Sequence, residues 1–290
     1  MDKPKVALVT GASRGAGKGI ALGLAAEAAT VYITGRSKSE ASATLRGEIL
    51  RGTLDETAEA IRAAGGNAIS VECDHSDDAQ TKAVFDRIAD EQGQLDILVN
   101  NAAVIHENLI DPGGFWEKPL ELVDILDVGL RTAYVASYHA AKMMVRQQSG
   151  LITFTSSFGS ACYMHGPAYG AQKVGYDKLA ADMGVDLENE GVAAISLWLG
   201  PQLTERTEIV LRHRGEQYDD FMASAETPEF NGRIIHALAA DPAIMEKSGQ
   251  TLVTAEVAVE YGVTDRGGLQ PPSYREQLGE PRIPHPARVI

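Results

Sequence analysis

The chain alternates between short apolar runs and longer amphipathic or alanine-rich stretches. Lys5 to Thr10 (KVALVT) is an apolar run that stops at a glycine, the pattern of a buried parallel strand. A helical stretch follows from Lys18 to Ala28, and a second apolar run, Thr30 to Thr34, comes straight after it. Further strands are predicted at Asn67 to Glu72, Leu95 to Val99, Leu151 to Thr155, Val192 to Trp198 and Gln250 to Thr254. Helices are predicted at Leu54 to Ala64, at Asp78 to Glu91, at Pro119 to Gln148 with an interruption near Gly129, and from Tyr169 to about Glu190. Thr227-Pro228-Glu229 opens another, with Thr as N-cap and Pro at the first helical position. This alternation, with no linker and no internal repeat, predicts one α/β domain over 1–290 built on a doubly wound, seven-stranded parallel sheet. Three stretches fall outside the pattern. Ser37 to Arg51 reads as a polar loop, 203–226 as a surface excursion over a pocket, and 265–290 as an irregular tail.

Between the first two strands lies TGASRGAG at 10–17, with glycines at Gly11, Gly15 and Gly17. Strand, glycine turn, helix and strand within roughly thirty residues is the context of a dinucleotide-binding loop. Glycine lets the backbone approach a pyrophosphate without a Cβ in the way, and the N–H groups at the helix start point at the anion. The second strand ends Thr34-Gly35-Arg36-Ser37, without the acid that would bond a ribose 2′-hydroxyl. Arg36 and Arg14 supply guanidinium groups instead, which suit a 2′-phosphate. The reading is NADP(H) in preference to NAD(H). Cys73-Asp74-His75 sits at the carboxyl end of the third strand, where ligands bind in open α/β sheets.

Composition narrows the class. A net charge of −14 argues against a nucleic-acid partner, whose phosphates need a basic surface. The two cysteines, Cys73 and Cys162, have no metal-ligand spacing and read as free thiols of a reducing compartment. The N-terminus has no apolar core of a signal peptide, and no apolar run approaches the ~20 residues that span a membrane. A cytoplasmic protein without a membrane partner or a metal is the expectation.

The candidate chemistry lies in SSFGSACYMHGPAYGAQK at 156–173. Tyr169 and Lys173 are four apart, so a helix places them one turn apart on one face. A neighbouring cation favours the phenolate and tunes a tyrosine for acid–base work. Ser156 and Ser157, at the end of an apolar run, are placed to bond the same substrate oxygen.

Five motifs fall in one order: TGASRGAG, NNAA at 100–103, the serine pair, YGAQK at 169–173 and GPQLT at 200–204. In this the chain resembles the classical short-chain dehydrogenase/reductases, over roughly residues 3–260. LRGTLDETAEAIRAAGG, SAETPEFNGR and YGVTDRGG are closer still to one subgroup, that of dehydrogenase/reductase SDR family member 1 and its bacterial relatives. The resemblance implies a Rossmann fold and an oxidoreductase that interconverts a carbonyl compound and an alcohol. Tyr169 would be its acid/base, Lys173 would lower the Tyr169 pKa and hold the nicotinamide ribose, and a serine would orient the carbonyl. Thr10, Gly11, Ser13, Arg14, Gly15 and Gly17 would form the pyrophosphate loop, and Asp74 would hold the adenine amino group. Asn100 and Ala102 would line the cofactor cleft, with Gly200 and Thr204 near the nicotinamide. The resemblance also implies a homodimer or homotetramer, joined through helices around 119–148 and 168–190.

The chain departs from the family pattern in four places. Counting from the glycine that opens the fifth strand favours Ser157 as the active serine, whereas counting back thirteen residues from Tyr169 favours Ser156; the strand count is preferred, because a deletion is easier to absorb in the loop than in a buried strand. Gly129 stands where the family places an asparagine of its proton relay. Ala103 replaces the last glycine of NNAG, and Leu199-Gly200 replaces Pro-Gly. Phe158, Tyr163, Met164 and His165, with 203–226, would build a pocket for a small or medium lipophilic carbonyl substrate. The rival readings are a catalytically silent NADP-binding sensor or scaffold, and a nucleotide-sugar epimerase or dehydratase, which shares Y-x-x-x-K.

Overall fold

The structure, a computed structural model, describes residues 4–27, 29–41, 43–214 and 222–289. Its centre is a seven-stranded sheet of β1 (Val6–Val9), β2 (Thr30–Gly35), β5 (Asn67–Glu72), β6 (Ile97–Asn100), β7 (Gly150–Ser156), β8 (Val192–Trp198) and β9 (Thr251–Val253). The spatial order is β5-β2-β1-β6-β7-β8-β9 and every pairing is parallel. The seven predicted strands are these, with ends shifted by a residue or two.

The apolar runs are continuous because both faces of the sheet are covered. In β1, Ala7 and Val9 face one way and pack with Ile20, Leu24, Ile61, Ile234 and Leu238. Val6 and Leu8 face the other way and pack with Phe85, Ile88, Met144, Tyr176 and Ala180. The first layer is α1 (Gly15–Ala26), α2 (Leu54–Ala63), α7 (Pro228–Ala240) and α8 (Thr254–Tyr261). The second is α3 (Asp78–Gln92), α4 (Thr132–Gln147) and α5 (Pro167–Asp186). Strand order reverses between β1 and β6, so the loops that leave these two strands diverge and open a crevice at their carboxyl ends.

Three segments differ from expectation. The polar stretch after β2 contains a hairpin, β3 (Thr44–Leu45) and β4 (Glu48–Ile49), turning through Arg46 and Gly47 at positive φ. It forms because Leu45 and Leu50 are buried against Ile209 of α6 (Glu205–Arg214), a pairing distant in sequence. The long helix before α4 is divided into a 3₁₀ turn (Leu120–Val123) and a π-helical stretch (Ile125–Arg131) that carries Gly129. Thr227 precedes α7 as predicted, but its hydroxyl goes to Asp265 Oδ1 at 2.5 Å rather than capping the helix. Residues 215–221 of the predicted pocket cover lie outside the described residues.

Helix α1 is held by unusually close packing on α7. A Cβ added at Gly23 would lie 2.3 Å from the Glu229 carbonyl oxygen, and one at Gly232 would lie 2.4 Å from that of Ile20. These neighbours are backbone and cannot rotate aside. Gly232→Ala is therefore expected to destabilise the fold by about 2 kcal/mol despite its better helix propensity. Urea denaturation checks this, and a variant as stable as the parent would contradict the packing argument.

Candidate active site

The crevice holds a cavity of about 830 Å³ running from Arg36 and Asp74 at one end to Tyr169 and Leu278 at the other. Its floor is the glycine loop. Gly11 has φ +68°, and a Cβ there would lie 2.7 Å from Ala102 Cα, so the loop and the segment after β6 meet through glycine only. Thr10 pins them together. Its hydroxyl donates to the Val99 carbonyl at 3.2 Å and accepts the N–H groups of Asn101 at 2.9 Å and Ala102 at 3.0 Å. Asn101 Nδ2 adds bonds to the carbonyls of Thr10 and Gly11 at 2.9 and 3.0 Å.

Thr10 was expected in the pyrophosphate loop and Asn100 in the lining of the cleft, and neither side chain reaches the cavity. Both side chains are buried below it, and the Asn100 amide donates to Ser137 Oγ at 3.0 Å. Asn101 lines the cavity instead. Period-two alternation at the end of β6 turns the two asparagines to opposite sides, a distinction the NNAA motif does not carry. Gly11, Ser13, Arg14, Gly15, Gly17, Arg36, Asp74, Ala102, Gly200 and Thr204 all line it.

At the far end of β2, Arg14 Nη2 donates to Ser37 Oγ at 2.9 Å and to the Gly52 carbonyl at 2.8 Å, while its buried Nε has no partner among the described residues. Burial lowers the Arg14 pKa, Glu205 opposes this, and the charge of Arg36 lowers it further. The two guanidinium groups repel each other beside an open cavity, a place suited to an anion. Asp74 Oδ1 accepts the Ser76 N–H and hydroxyl at 3.0 and 2.7 Å. His75 is buried on Thr34 at 2.7 Å, and burial pushes its pKa down to about 4, so it is neutral and structural.

At the other end, Ser157 Oγ and Tyr169 Oη are 2.9 Å apart. Ser156, one residue earlier, turns its hydroxyl to the Lys173 carbonyl at 3.2 Å and so faces helix α5 rather than the phenol. This difference between neighbours again follows the strand alternation. Lys173 Nζ donates to the Thr155 carbonyl at 2.9 Å and lies 5.1 and 5.2 Å from the ring centres of Tyr169 and Tyr176. Burial lowers the Lys173 pKa to about 8, partly offset by Asp177 one turn further along α5. The Tyr169 phenol is raised by burial, with its Ser157 hydrogen bond pulling it down. In the protein alone burial thus outweighs the lowering expected from Lys173.

Several residues at the site were not visible as such in the sequence. Asp177 is a buried carboxylate that accepts from Ser160 Oγ at 2.6 Å, Ser196 Oγ at 2.6 Å and Trp198 Nε1 at 3.0 Å, tying α5 to β8 and to the turn after Ser157. Glu226 is buried behind Gly200 and accepts from Gly200 N at 3.2 Å, Gln202 Nε2 at 2.5 Å and Asn231 Nδ2 at 2.9 Å. Burial raises its pKa to about 7. Glu205, the first residue of α6, accepts the Gly15 N–H at 2.9 Å and lies 3.7 Å from Lys18 Nζ. Tyr274 and Leu278 of the tail fold back onto Phe158 and line the cavity. Of the predicted pocket residues, Phe158, Met164 and His165 line it, whereas Tyr163 is 85% exposed and faces a separate groove. His165 adopts φ +60° and sets its ring edge-on to Tyr169, centres 5.1 Å apart.

The family model for short chain dehydrogenases matches residues 5–214, and the chain belongs to this family of oxidoreductases. It is 38% identical to human dehydrogenase/reductase SDR family member 1, over 91% of this chain and 84% of that one. It is 30% identical to the 3-oxoacyl-[acyl-carrier-protein] reductase FabG of Staphylococcus aureus, over 81% of this chain and 97% of the relative. The fold matches a putative NAD(P)-dependent gluconate 5-dehydrogenase from Beutenbergia cavernae with bound NADP, at a TM-score of 0.71 and 28% identity, covering 86% and 94% of the two chains. Among the described residues no helix is long and apolar enough to cross a membrane.

The buried charge of Lys173 yields a stability prediction. Between the folded value of about 8 and the ordinary 10.5, the unfolded chain holds more protons, so this group makes stability rise with pH across that window. Lys173→Met removes the charge and is expected to stabilise the protein by about 1–3 kcal/mol at pH 7. The gain should shrink as pH rises from about 8 towards 10.5. Urea unfolding at several pH values checks this, and a less stable variant at pH 7 would refute it.

Proposed function

We propose that this protein is an NADP(H)-preferring reductase of lipophilic carbonyl compounds, working through Ser157, Tyr169 and Lys173. The observation that carries the reading is the 2.9 Å contact between Ser157 Oγ and Tyr169 Oη, with Lys173 Nζ 5.1 Å from the same ring, all opening onto one cavity with the glycine loop. That cavity suits a dinucleotide. A Cβ on Gly15 would project into it towards Thr204 Cγ2, 3.9 Å away. Gly11, Ser13, Gly15 and Gly17 would hold the pyrophosphate, Arg14 and Arg36 a 2′-phosphate, Asp74 the adenine, and Ala102, Gly200 and Thr204 the nicotinamide side. When bound, NADP(H) supplies the hydride.

The residues of this chain handle the oxygen and its proton. Ser157 and Tyr169 already share one hydrogen bond, so a carbonyl oxygen placed between them receives two donors. Tyr169 gives its proton to the oxygen as the alkoxide forms. The Lys173 ammonium beside the ring favours the phenolate left behind, against the burial that disfavours it. Ser156 has no such part in this reading, since its hydroxyl is committed to α5. Phe158, Met164, Leu109, Ile110, Met222 and Leu278 make the substrate end apolar, which supports a lipophilic substrate. Exposed Tyr134 and Tyr138 on α4 and Val174 and Val185 on α5 support assembly of copies through these helices. A cytoplasmic setting fits the two free cysteines.

Tyr169→Phe is expected to cut turnover of ketones and aldehydes by about 10³-fold while NADPH binding stays close to the parent. NADPH oxidation and fluorescence titration measure the two, and near-normal turnover would sink the assignment. Arg36 is exposed at the end of β2, so Arg36→Ala should fold normally. It is expected to weaken NADPH about ten-fold and leave NADH nearly unchanged. An unaltered enzyme that prefers NADH would overturn the role of Arg14 and Arg36.

A further inference from the structure

The side-chain space at Gly129 is not empty. A Cβ added there would fall 2.0 Å from Gln172 Nε2 and 2.9 Å from Gln172 Cδ. Gln172 precedes Lys173, is 2% exposed, and belongs to the cavity wall. Its amide donates to Tyr176 Oη at 3.3 Å, and Tyr176 Oη in turn donates to the Gly129 carbonyl at 3.2 Å. The π-helical stretch makes this possible. At its end Thr132 Oγ1 donates to the Val128 carbonyl at 2.5 Å, and the Gly129 carbonyl accepts from Tyr176 Oη as well as from the Thr132 N–H. The result is a closed set of contacts between Gln172, Tyr176 and the backbone at Gly129. Tyr176 also presents its ring to Lys173 Nζ, 5.2 Å from the ring centre.

We propose that Gln172 is a positioning residue of this active site: its amide fills the side-chain space of Gly129 and, through Tyr176, fixes the Lys173 ammonium beside Tyr169. The role of Gln172 rests on the reading of Tyr169 and Lys173 given above. It explains why position 129 is glycine, since any side chain there would expel the amide. It also explains a fully buried tyrosine hydroxyl beside Lys173: Tyr176 Oη accepts from Gln172 and donates to Gly129, so neither capacity is left unmet.

The test is a four-protein cycle of the parent, Gln172→Ala, Gly129→Asn and the double variant. Gln172→Ala is expected to lower kcat about five-fold or more, with the KM for the carbonyl substrate within about two-fold of the parent. Gly129→Asn alone should do the same by displacing the amide. The double variant returns an amide to the vacated space and should be faster than either single one. An unchanged kcat in Gln172→Ala, or losses that simply multiply in the double variant, would overturn the positioning role. Urea denaturation of the same proteins reads the shared space independently of chemistry. Gly129→Asn should cost less in the Gln172→Ala background, and an equal cost in both would overturn the shared space. Undiminished turnover in Tyr169→Phe would overturn the catalytic reading and the positioning role together, while the denaturation cycle would still decide whether the two residues share one space.

Discussion

An ammonium group cannot be taken out of water without partners, and at Lys173 one backbone carbonyl and two tyrosine rings have to serve. The carbonyl belongs to Thr155, near the end of β7. Two residues on, just past the end of the strand, lies Ser157, so the strand end that anchors the lysine also aims the serine. Helix α5 supplies the other half. Tyr169, Lys173 and Asp177 recur every four residues and share one face. Asp177 binds the turn that carries Ser160 and the end of β8 that carries Ser196 and Trp198. Its buried negative charge opposes the desolvation of Lys173 from behind. The geometry of Ser157, Tyr169 and Lys173, the groups proposed to react, is thus fixed by contacts that point away from the cavity.

The glycine loop depends on a different constraint, the distance between backbones. Gly11 meets Ala102, and Gly23 meets Gly232, at separations that admit no Cβ. The first contact sets where the loop lies against the segment after β6, and the second sets where α1 lies against α7. Both act on the same helix, whose N-terminus faces the cavity. Across the crevice, α6 reaches this helix through Glu205 and the β3–β4 hairpin through Ile209, Arg212 and His213. A carboxylate on the Gly15 N–H couples the cover of the cavity to its floor.

The sheet was legible because its strands are buried on both faces and therefore read as unbroken apolar runs bounded by glycine. Tyr169 and Lys173 were legible because a spacing of four on a helix needs only one assumption. Where two adjacent residues of like type close a strand, the sequence does not say which faces the cavity. That is why the preference for Ser157 over Ser156 rested on counting along the strand alone, and why the NNAA motif pointed to Asn100 where Asn101 lines the cavity. The hairpin was hidden for another reason: Leu45 and Leu50 look isolated in a polar stretch, and what buries them is Ile209. Asp177, Glu226 and Gln172 were hidden in the same way, each defined by partners on other elements.

The unmet polar groups show where the fold gives up stability. Among the described residues, buried side-chain atoms without a partner are Arg14 Nε, Asn100 Oδ1, Asn231 Oδ1 and His236 Nδ1. Arg14 lines the cavity, Asn100 lies beside Asn101 under the glycine loop, and Asn231 holds Glu226 behind Gly200. Lys173 and Glu226, whose charged forms burial disfavours, occupy the same region. A core selected for stability alone would replace such groups with apolar ones at little cost. They gather around one crevice, with His236 the exception, but of the unmet atoms Arg14 Nε alone belongs to a residue that lines the cavity: its donor faces a space from which it can be met, whereas the Asn100 and Asn231 oxygens lie behind the wall and are a cost of the scaffold that holds it.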